Sequence, residues 1–298
     1  MSGLTVLVKA VAILAGLAVL GGFAGKWYPV GDSLAVFRVE FTVICALAII
    51  WSTWPKLIRW GVTVLCLGIL AVHVFNAMPS GQSGGDLTLY QQNLLFNRGD
   101  KGAGAIDVVR QRLPDFVTFQ EVSVTNRPIL DALRPDYPSQ HLCPLGDDLG
   151  EAVLSSHPKI AGSEFCSTRD GLAGMQVQTP FGPIWVVSVH LSWPWPKGQA
   201  HQVTQILPHL ERLDGQIVIA GDFNAVAWSH TLSQMQTVSG TKRIGPYMVS
   251  FYLPMVGLPI GIDHVLTSLD TSNTVTRLDI SGSDHHGLWA SFSRSIHD

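Results

Sequence analysis

Two short motifs carry the residues best suited to chemistry. Gly221-Asp222-Phe223-Asn224 follows an apolar run, and Ser283-Asp284-His285 lies near the C-terminus. Asp222 and Asn224 stand two residues apart, so their side chains point the same way if the segment stays extended. A carboxylate beside an amide can then position a water molecule and hold a phosphate oxygen. Taken alone, either motif is equally an ordinary turn.

Three further ionisable side chains are expected where buried strands begin or end. Glu121 follows the run 116–120, His190 follows the run 185–189, and Asp263 opens the run 263–267. Each has an ordinary alternative as an exposed acid, a surface histidine or a capped turn. Attack on a phosphate ester requires neutralised phosphoryl oxygens, an activated water and a proton for the leaving group. Carboxylates holding Mg²⁺ and a histidine held by a carboxylate supply these, so the set predicts a metal-dependent phosphoesterase.

Short β-rich runs, separated by turns and a few helices, would position these side chains. Strands are predicted at 87–91, 116–119, 152–154, 175–178, 184–189, 216–220, 263–267, 275–280 and 288–292. Helical spacing occurs at 105–112, 127–133, 201–213 and 229–237. Strands outnumber helices, which favours two sheets packed face to face with helices outside them.

The order of the motifs resembles the endonuclease/exonuclease/phosphatase superfamily, which includes DNase I-like nucleases, neutral sphingomyelinases and inositol-polyphosphate 5-phosphatases. The resemblance covers about residues 87–294 and is carried by these blocks: Gln92-Asn93, Gln120-Glu121, Val189-His190-Leu191, Gly221-Asp222-Phe223-Asn224-Ala225, Ile262-Asp263-His264 and Gly282-Ser283-Asp284-His285. It implies an α/β fold, the four-layered α/β/β/α sandwich of the DNase I type. It also implies a Mg²⁺-dependent hydrolase acting on phosphoric ester bonds.

The resemblance further implies a metal site. Glu121 would be the principal ligand, Asn93 would lie beside it on metal or phosphate, and Asp284 would partner a second or migrating ion. Mg²⁺ is the expected cofactor, with Mn²⁺ as the alternative. Leu95 stands where some nucleases carry an acid, which argues against a two-ligand metal site of that kind. Gly287 stands where family members often have proline, which predicts a looser loop.

The same resemblance implies roles for five catalytic residues. Asp222 would align or deprotonate the attacking water, and Asn224 would bind a phosphate oxygen. Asp263 would hold His285. His285 would contact the scissile phosphate together with His190.

The first 78 residues are far more apolar than the rest. Segments 4–25, 36–54 and 60–75 are each roughly long enough to cross a bilayer, which predicts three transmembrane helices. A cleaved signal peptide is the alternative for the first segment, but the two apolar segments that follow argue against it. We therefore expect a membrane domain at 1–78, a Gly-rich linker at 79–86 and a catalytic domain at 87–298.

Positive charge predicts the orientation. Lys56 and Arg59 lie in the tight turn after the second apolar segment, and such residues are retained on the cytoplasmic side. Three crossings then place the catalytic domain in the periplasm, beyond a bacterial inner membrane, although two basic residues in the first loop weaken this orientation. In an oxidising compartment Cys143 and Cys166 could form a disulfide, but their spacing does not show that they meet.

The charge of the catalytic part bears on its substrate. Residues 81–298 carry 14 Lys and Arg against 20 Asp and Glu, a net charge of −6, whereas proteins that bind long nucleic acid depend on basic surface. Long nucleic acid is therefore not expected as a partner, and short oligonucleotides stay open. The segments 193–196 and 246–259 are rich in aromatic residues, proline and aliphatic residues, which suits a membrane interface or simple loop packing.

The apolar N-terminal helices and the segment Ala225–Ser229 resemble a membrane-anchored bacterial branch of the superfamily. That branch includes proteins similar to the teicoplanin-resistance membrane phosphatase, which is linked to lipid-carrier intermediates. We expect a phosphate ester or diphosphate at the membrane, an amphiphilic polyprenyl or phospholipid phosphate, with the bilayer itself as a partner. The alternatives are a DNase I-like nuclease acting on short nucleic acid and a catalytically silent, membrane-anchored binding module.

Overall fold

The computed structural model describes residues 3–79, 85–97, 99, 102–145, 149–167 and 171–294. The N-terminal part of this described chain contains helices α1 (Gly3–Gly21), α2 (Val30–Val36), α3 (Arg38–Trp51) and α4 (Lys56–Ala77). Among the described residues, α1 and α4 are long and apolar enough to cross a membrane, and α2 with α3 would add a third span only as a bent pair. Most of the linker predicted at 79–86 lies outside the described residues.

The second predicted span, 36–54, is not one straight helix. α3 has 14 residues, about 21 Å at 1.5 Å per residue, which is shorter than a hydrocarbon core of about 30 Å. α2 meets it at an angle of 70°. The bend has a physical cause, since Trp228 Nε1 donates a hydrogen bond to the carbonyl oxygen of Ala35 at 2.8 Å and holds α2 against the rest of the protein.

The remainder of the described chain forms a sandwich. Its elements in chain order are β1 (Leu87–Asn93), α5 (Ala103–Arg112), β2 (Phe116–Gln120), α6 (Pro128–Leu133), β3 (Ser139–Leu145), β4 (Leu149–Ser155), β5 (Phe165–Cys166), β6 (Leu172–Thr179), β7 (Gly182–His190), α7 (Gln199–Glu211), β8 (Gln216–Asp222), α8 (His230–Ser239), β9 (Lys242–Arg243), β10 (Phe251–Tyr252), β11 (Pro259–Ile260), β12 (Asp263–Thr267), β13 (Thr271–Arg277) and β14 (Leu288–Arg294).

Two six-stranded sheets face each other. The first sheet has the order β13-β14-β1-β2-β4-β3 and the second has the order β5-β6-β7-β8-β12-β9. Apolar side chains of both sheets, such as Phe116 and Val186, form the central core. α5 and α6 cover the outside of the first sheet, and α7 and α8 cover the outside of the second. The predicted four-layered α/β/β/α sandwich is thereby confirmed.

Each sheet contains a parallel pair whose carboxyl ends lie at the same end of the sandwich. β1 pairs with β2 so that Asn93 lies opposite Gln120. β7 pairs with β8 so that His190 lies opposite Asp222, and the antiparallel β12 brings Asp263 opposite Asp222 from the other side. Polar residues from strands distant in sequence are therefore gathered at one end of the fold.

A disulfide joins the two sheets at their edges. Cys143 lies on β3, the edge strand of the first sheet, and Cys166 lies on β5, the edge strand of the second. Their Cα atoms are 5.5 Å apart and the two sulfur atoms are bonded. The pairing that the sequence left open is thus present, and it closes one open side of the sandwich.

α2 is anchored to the sandwich by a buried carboxylate. Asp32 accepts hydrogen bonds from the backbone N–H groups of His230 and Thr231 at 2.8 and 2.9 Å. These groups open α8 and lack partners within the helix, while Ser229 caps the next one through its hydroxyl. A second contact joins α4 to the sandwich, because the Tyr247 N–H donates to Asn76 O at 2.7 Å.

Loss of the disulfide should destabilise the sandwich. Replacing Cys143 and Cys166 together with serine is expected to lower the free energy of unfolding by about 3 kcal/mol, because the crosslink restricts the unfolded chain. Thermal unfolding of the purified protein in detergent measures the change. The double replacement of Cys45 and Cys66, which are free thiols within the N-terminal helices, is the matched control. Equal stability of the two double variants would contradict this expectation.

Removal of the Asp32 carboxylate should loosen α2. Asp32→Ala leaves the N–H groups of His230 and Thr231 without their acceptor, so we expect the protein to lose about 1–2 kcal/mol of stability. Asp136→Ala removes an exposed acid and serves as the control. The readouts are the Tm and limited proteolysis of residues 22–37. Unchanged values for Asp32→Ala would show that this carboxylate does not hold the two parts together.

Candidate active site

The predicted polar residues meet around one cavity at the end of the sandwich, which we call the pocket. Its volume is about 520 Å³. Six of the eight predicted site residues line it: Glu121, His190, Asp222, Asn224, Asp284 and His285. The other two, Asn93 and Asp263, are buried directly behind the pocket wall. Both form hydrogen bonds with residues that line the pocket.

Asp222 lies at the centre of the site. Its Oδ1 accepts the N–H of Asn224 at 2.8 Å, and its Oδ2 accepts the side-chain amide of Asn93 at 3.1 Å. Burial raises the pKa of Asp222 to about 6, although the neighbouring His285 and His190 oppose the rise. A carboxylate with a raised pKa beside two imidazoles can accept a proton from a bound water.

Asn224 lines the pocket and also fixes the geometry around Asp222. Its backbone adopts a positive φ of 44°, which is uncommon for a residue other than glycine and recurs at functional sites. Its amide donates to Leu191 O at 2.7 Å and to Asp222 Oδ2 at 3.3 Å. The turn therefore fixes both the direction and the hydrogen bonding of the Asp222 carboxylate.

His285 and Asp263 form a buried pair. His285 Nδ1 and Asp263 Oδ2 are 2.8 Å apart, and His285 Nε2 lies 3.7 Å from Asp222 Oδ2. Burial acts to lower the pKa of His285, but the charges of Asp263 and Asp222 outweigh it and raise the pKa to about 10. A protonated His285 ring would present Nε2 to the pocket, where it can donate to a phosphate oxygen.

His190 has a partner that the sequence did not reveal. Glu151 on β4 is buried, and its Oε1 lies 3.3 Å from His190 Nδ1. Burial acts to lower the pKa of His190, but Glu151 and Asp222 raise it to about 9. A signal was present, because Glu151 is an acid inside the apolar run 149–154, and unpaired acids are almost never fully buried. The site thus contains two histidine–carboxylate pairs.

The donor set around Glu121 fits a hard divalent cation. Glu121 has a positive φ of 56°, follows β2 directly and contributes its carboxylate to the pocket. Asn93 Nδ2 lies 3.2 Å from Glu121 Oε1, which places an amide, a glutamate and Asp222 around the same space. Asn93 presents its Nδ2 to both carboxylates, while its Oδ1 accepts the N–H of Leu95 at 3.0 Å. The ligands offered here are therefore carboxylate oxygens, which with open positions for water suit Mg²⁺ or Mn²⁺ better than softer ions.

Asp222, Asp263 and His285 also present ligand atoms within 4.8 Å of one another. A metal at this second position is less suitable, because His285 and Asp263 already satisfy each other through their short hydrogen bond. Asp284 lines the pocket from its exposed rim and bonds loosely to Ser283, whose Oγ is 3.4 Å away.

A buried hydrogen-bonded network supports the site from between the sheets. Gln91 Nε2 donates to Asp263 Oδ1 at 2.9 Å and to Gln120 Oε1 at 2.8 Å. Gln120 Nε2 in turn donates to Ser188 Oγ at 2.8 Å. Gln91 and Gln120 belong to the first sheet, and Asp263 and Ser188 belong to the second. The network therefore fixes the two sheet ends relative to each other beneath the pocket.

Part of the pocket lining packs against the N-terminal helices. Trp193 and Phe251 line the pocket, and both belong to an apolar cluster that includes Ala35 and Val36 of α2. The ring of Phe251 also packs against His285, with the centroids 4.6 Å apart. One layer of side chains thus connects α2 with the His285–Asp263 pair.

Solved structures with a similar fold include an AP endonuclease from Archaeoglobus fulgidus, with 18% identity, a TM-score of 0.54 and coverage of 70% of this chain and 100% of that chain. TDP2 of D. rerio, complexed with a single-strand DNA product, gives 15% identity, a TM-score of 0.56 and coverage of 70% and 99%. A mutant of beta toxin from Staphylococcus aureus, with bound magnesium ions, gives 14% identity, a TM-score of 0.52 and coverage of 70% and 100%. No curated protein matches the chain significantly.

These identities are low, so the structural likenesses show a shared fold. The family comparison goes further, because the sequence model of the Endonuclease/Exonuclease/phosphatase family matches residues 90–285, which include all eight predicted site residues. This match agrees with the observed sandwich fold and with the acids and histidines that meet at its end. The chain belongs to the endonuclease/exonuclease/phosphatase family, and it is a metal-dependent phosphoester hydrolase.

Proposed function

We propose that the protein hydrolyses the phosphate group of an amphiphile at the surface of a membrane, a polyprenyl or phospholipid phosphate. The observation that carries this proposal is that Trp193 and Phe251, which line the pocket, pack in one cluster with α2. α2 is joined through Phe37 to the apolar α3. A lipid phosphate lying beside these helices would have a short path to the pocket.

Exposed apolar side chains close in sequence to Trp193 and Phe251 support the same class of substrate. The hairpin of β10 and β11 begins at Phe251, and its turn exposes Met255 and Val256. Trp195, in the loop that follows Trp193, is also largely exposed. Aromatic and aliphatic side chains in such positions suit the boundary between water and lipid.

An extracytoplasmic position for the catalytic part is supported by two features. The disulfide between Cys143 and Cys166 is typical of oxidising compartments. α2 and the end of α4 both contact the sandwich, so they belong on the same side as the catalytic part. With Lys56 and Arg59 on the cytoplasmic side, these contacts favour the periplasmic side of an inner membrane.

The chemistry follows from the two histidine pairs and Asp222. Asp222 would orient the attacking water and take its proton, while Asn93 and Asn224 keep its carboxylate directed at the phosphorus. His285, charged by Asp263, would donate to a phosphoryl oxygen, and His190 would do so from the opposite side of Asp222. Asn224 would reach a phosphate oxygen by exchanging its bond to Asp222 for one to the substrate.

Glu121, with Asn93 beside it and Asp284 at the rim, would hold a divalent cation, Mg²⁺ or Mn²⁺. Such an ion neutralises charge on the phosphoryl group as the leaving oxygen departs. The protein side chains would orient the substrate and transfer protons. Their hydrogen bonds to one another fix their positions before the substrate binds.

The substrate class can be tested with one panel. The purified full-length protein with Mg²⁺ is expected to release phosphate or an alcohol headgroup from polyprenyl phosphates or phospholipids, with much lower rates on duplex DNA and sugar phosphates. EDTA should abolish the activity, and Asp222→Ala should lower kcat by about 10³-fold or more, since it removes the general base and a charge at the reacting centre.

Asp270→Ala, which removes an exposed acid outside the pocket, is the control for that variant. Full activity of Asp222→Ala would contradict the assignment of the active site. Cleavage of DNA alone would replace the proposed substrate class with the nuclease alternative, and absence of all activity would favour a binding module.

Glu151 should matter for rate and little for folding. Glu151→Gln retains the shape and one acceptor but removes the charge that keeps His190 protonated, so we expect kcat to fall about 10²-fold. The Tm should stay close to that of wild type. Glu211→Gln on the exposed face of α7 is the matched control. If both glutamine variants keep wild-type kcat, the charge on Glu151 is not needed for turnover.

A further inference from the structure

The first residue of α7 bridges two loops that leave the second sheet beside the pocket. Gln199 Nε2 lies 2.7 Å from Ser192 O, in the loop after β7. The same nitrogen lies 3.1 Å from Phe223 O and 3.0 Å from Asn224 O, in the turn after β8. An amide nitrogen carries two N–H groups, so the three carbonyls share them. Gln199 therefore ties the turn after β8 to the loop after β7.

The turn after β8 depends on such a donor. β8 ends at Asp222, so the carbonyls of Phe223 and Asn224 lie beyond the strand, and both residues are buried. Buried carbonyl groups need a hydrogen-bond donor. The Gln199 amide meets this need while Asn224 holds its positive φ and donates its N–H to Asp222 Oδ1. Loss of the amide would release the backbone that directs the Asp222 carboxylate.

The other end of the Gln199 amide leads to the N-terminal helices. Gln199 Oε1 accepts the hydroxyl of Thr231, on α8, at 3.1 Å. The Thr231 N–H donates to Asp32 Oδ2, on α2, at 2.9 Å. Asp32, Thr231 and Gln199 are only 7%, 4% and 2% exposed, so water competes little for these bonds. An unbroken series of buried hydrogen bonds therefore runs from α2 to the turn beside Asp222.

We propose that Gln199 is a positioning residue for Asp222, and that Thr231 and Asp32 make this positioning depend on the docking of α2. Gln199 does not belong to the described lining of the pocket, so it acts on the reaction through the turn 222–224. The inference rests on the role of Asp222 in the proposed function and adds a condition to it. Full turnover would require α2 to stay docked on α8.

Thr231 allows the link to be cut at one bond. Its N–H contacts Asp32 and its hydroxyl contacts Gln199, so Thr231→Val removes only the second contact and nearly preserves the shape of the side chain. Thr231→Ser keeps the hydroxyl and is the conservative rescue. Gln199→Leu removes the amide itself. Gln205→Ala, on the exposed face of the same helix, is the control.

Hydrogen exchange of the full-length protein in detergent with Mg²⁺ tests the positioning without a substrate. Peptides that contain the Asn224 amide are expected to exchange about tenfold faster in Gln199→Leu and measurably faster in Thr231→Val, because the turn opens more easily. Thr231→Ser and Gln205→Ala should match wild type. A rise that spreads evenly over both sheets, together with a lower Tm, would mean that Gln199 only supports folding and would overturn the positioning role.

Kinetics with para-nitrophenyl phosphate and bis(para-nitrophenyl) phosphate measure the effect on the chemistry without a lipid. We expect Gln199→Leu to lower kcat about tenfold or more at nearly unchanged KM, because a displaced carboxylate no longer aligns the attacking water. Thr231→Val and Asp32→Asn should each lower kcat about threefold, and Thr231→Ser should retain the wild-type value. No effect of Thr231→Val in either measurement would overturn the link to α2, and wild-type values for Gln199→Leu would overturn the whole inference.

A failure of the proposed function gives a different pattern. If Asp222→Ala keeps full activity, or if wild type hydrolyses neither these esters nor any lipid phosphate, the proposed function is wrong. Exchange at Asn224 then still decides whether Gln199 and Thr231 fix the turn. If that exchange is unchanged in Gln199→Leu and Thr231→Val while lipid phosphates are hydrolysed, the inference is wrong and the proposed function stands.

Discussion

The site depends on charged side chains that the fold buries, such as Asp222, Asp263 and Glu151. Desolvation opposes every one of them, so each survives only through an opposite charge nearby. His285 has Asp263 at 2.8 Å, His190 has Glu151 at 3.3 Å, and Asp222 lies 3.7–3.8 Å from both rings. Removing one of these side chains leaves a neighbouring charged group without its opposite charge. The sheets, the turns and the buried glutamines between them are the framework that keeps these distances short.

Much of the framework follows from local sequence. The strand predicted at 263–267 has the observed bounds, and that predicted at 184–189 lies within β7. The run 184–189 is mainly β-branched and apolar, and the run 263–267 ends in Val265, Leu266 and Thr267, so local preference and burial agree in both. The site residues could be anticipated for the same reason, because each follows or opens a strand and parallel strands deliver their ends to one edge.

Other features depend on partners that are distant in the chain. β3 contains Pro144 and was not predicted, because it exists through its pairing with β4 and its disulfide to β5. The strand expected at 275–280 is shifted to 271–277, because its register is set by β14. Asp32 acts on His230, 198 residues away, and no local pattern reveals such a contact. The bend between α2 and α3 was likewise not predicted.

The docking of α2 on α8 also decides how the enzyme meets its substrate. Asp32 is buried, and it joins α2 to the layer of helices that covers the second sheet. These contacts prevent the catalytic domain from rotating independently of the N-terminal helices. Its pocket therefore keeps a fixed distance and orientation relative to those helices. For a membrane amphiphile of the kind proposed above, encounter would be a search in two dimensions, and turnover would depend on the number of substrate molecules per unit of membrane area rather than on their concentration in bulk solution.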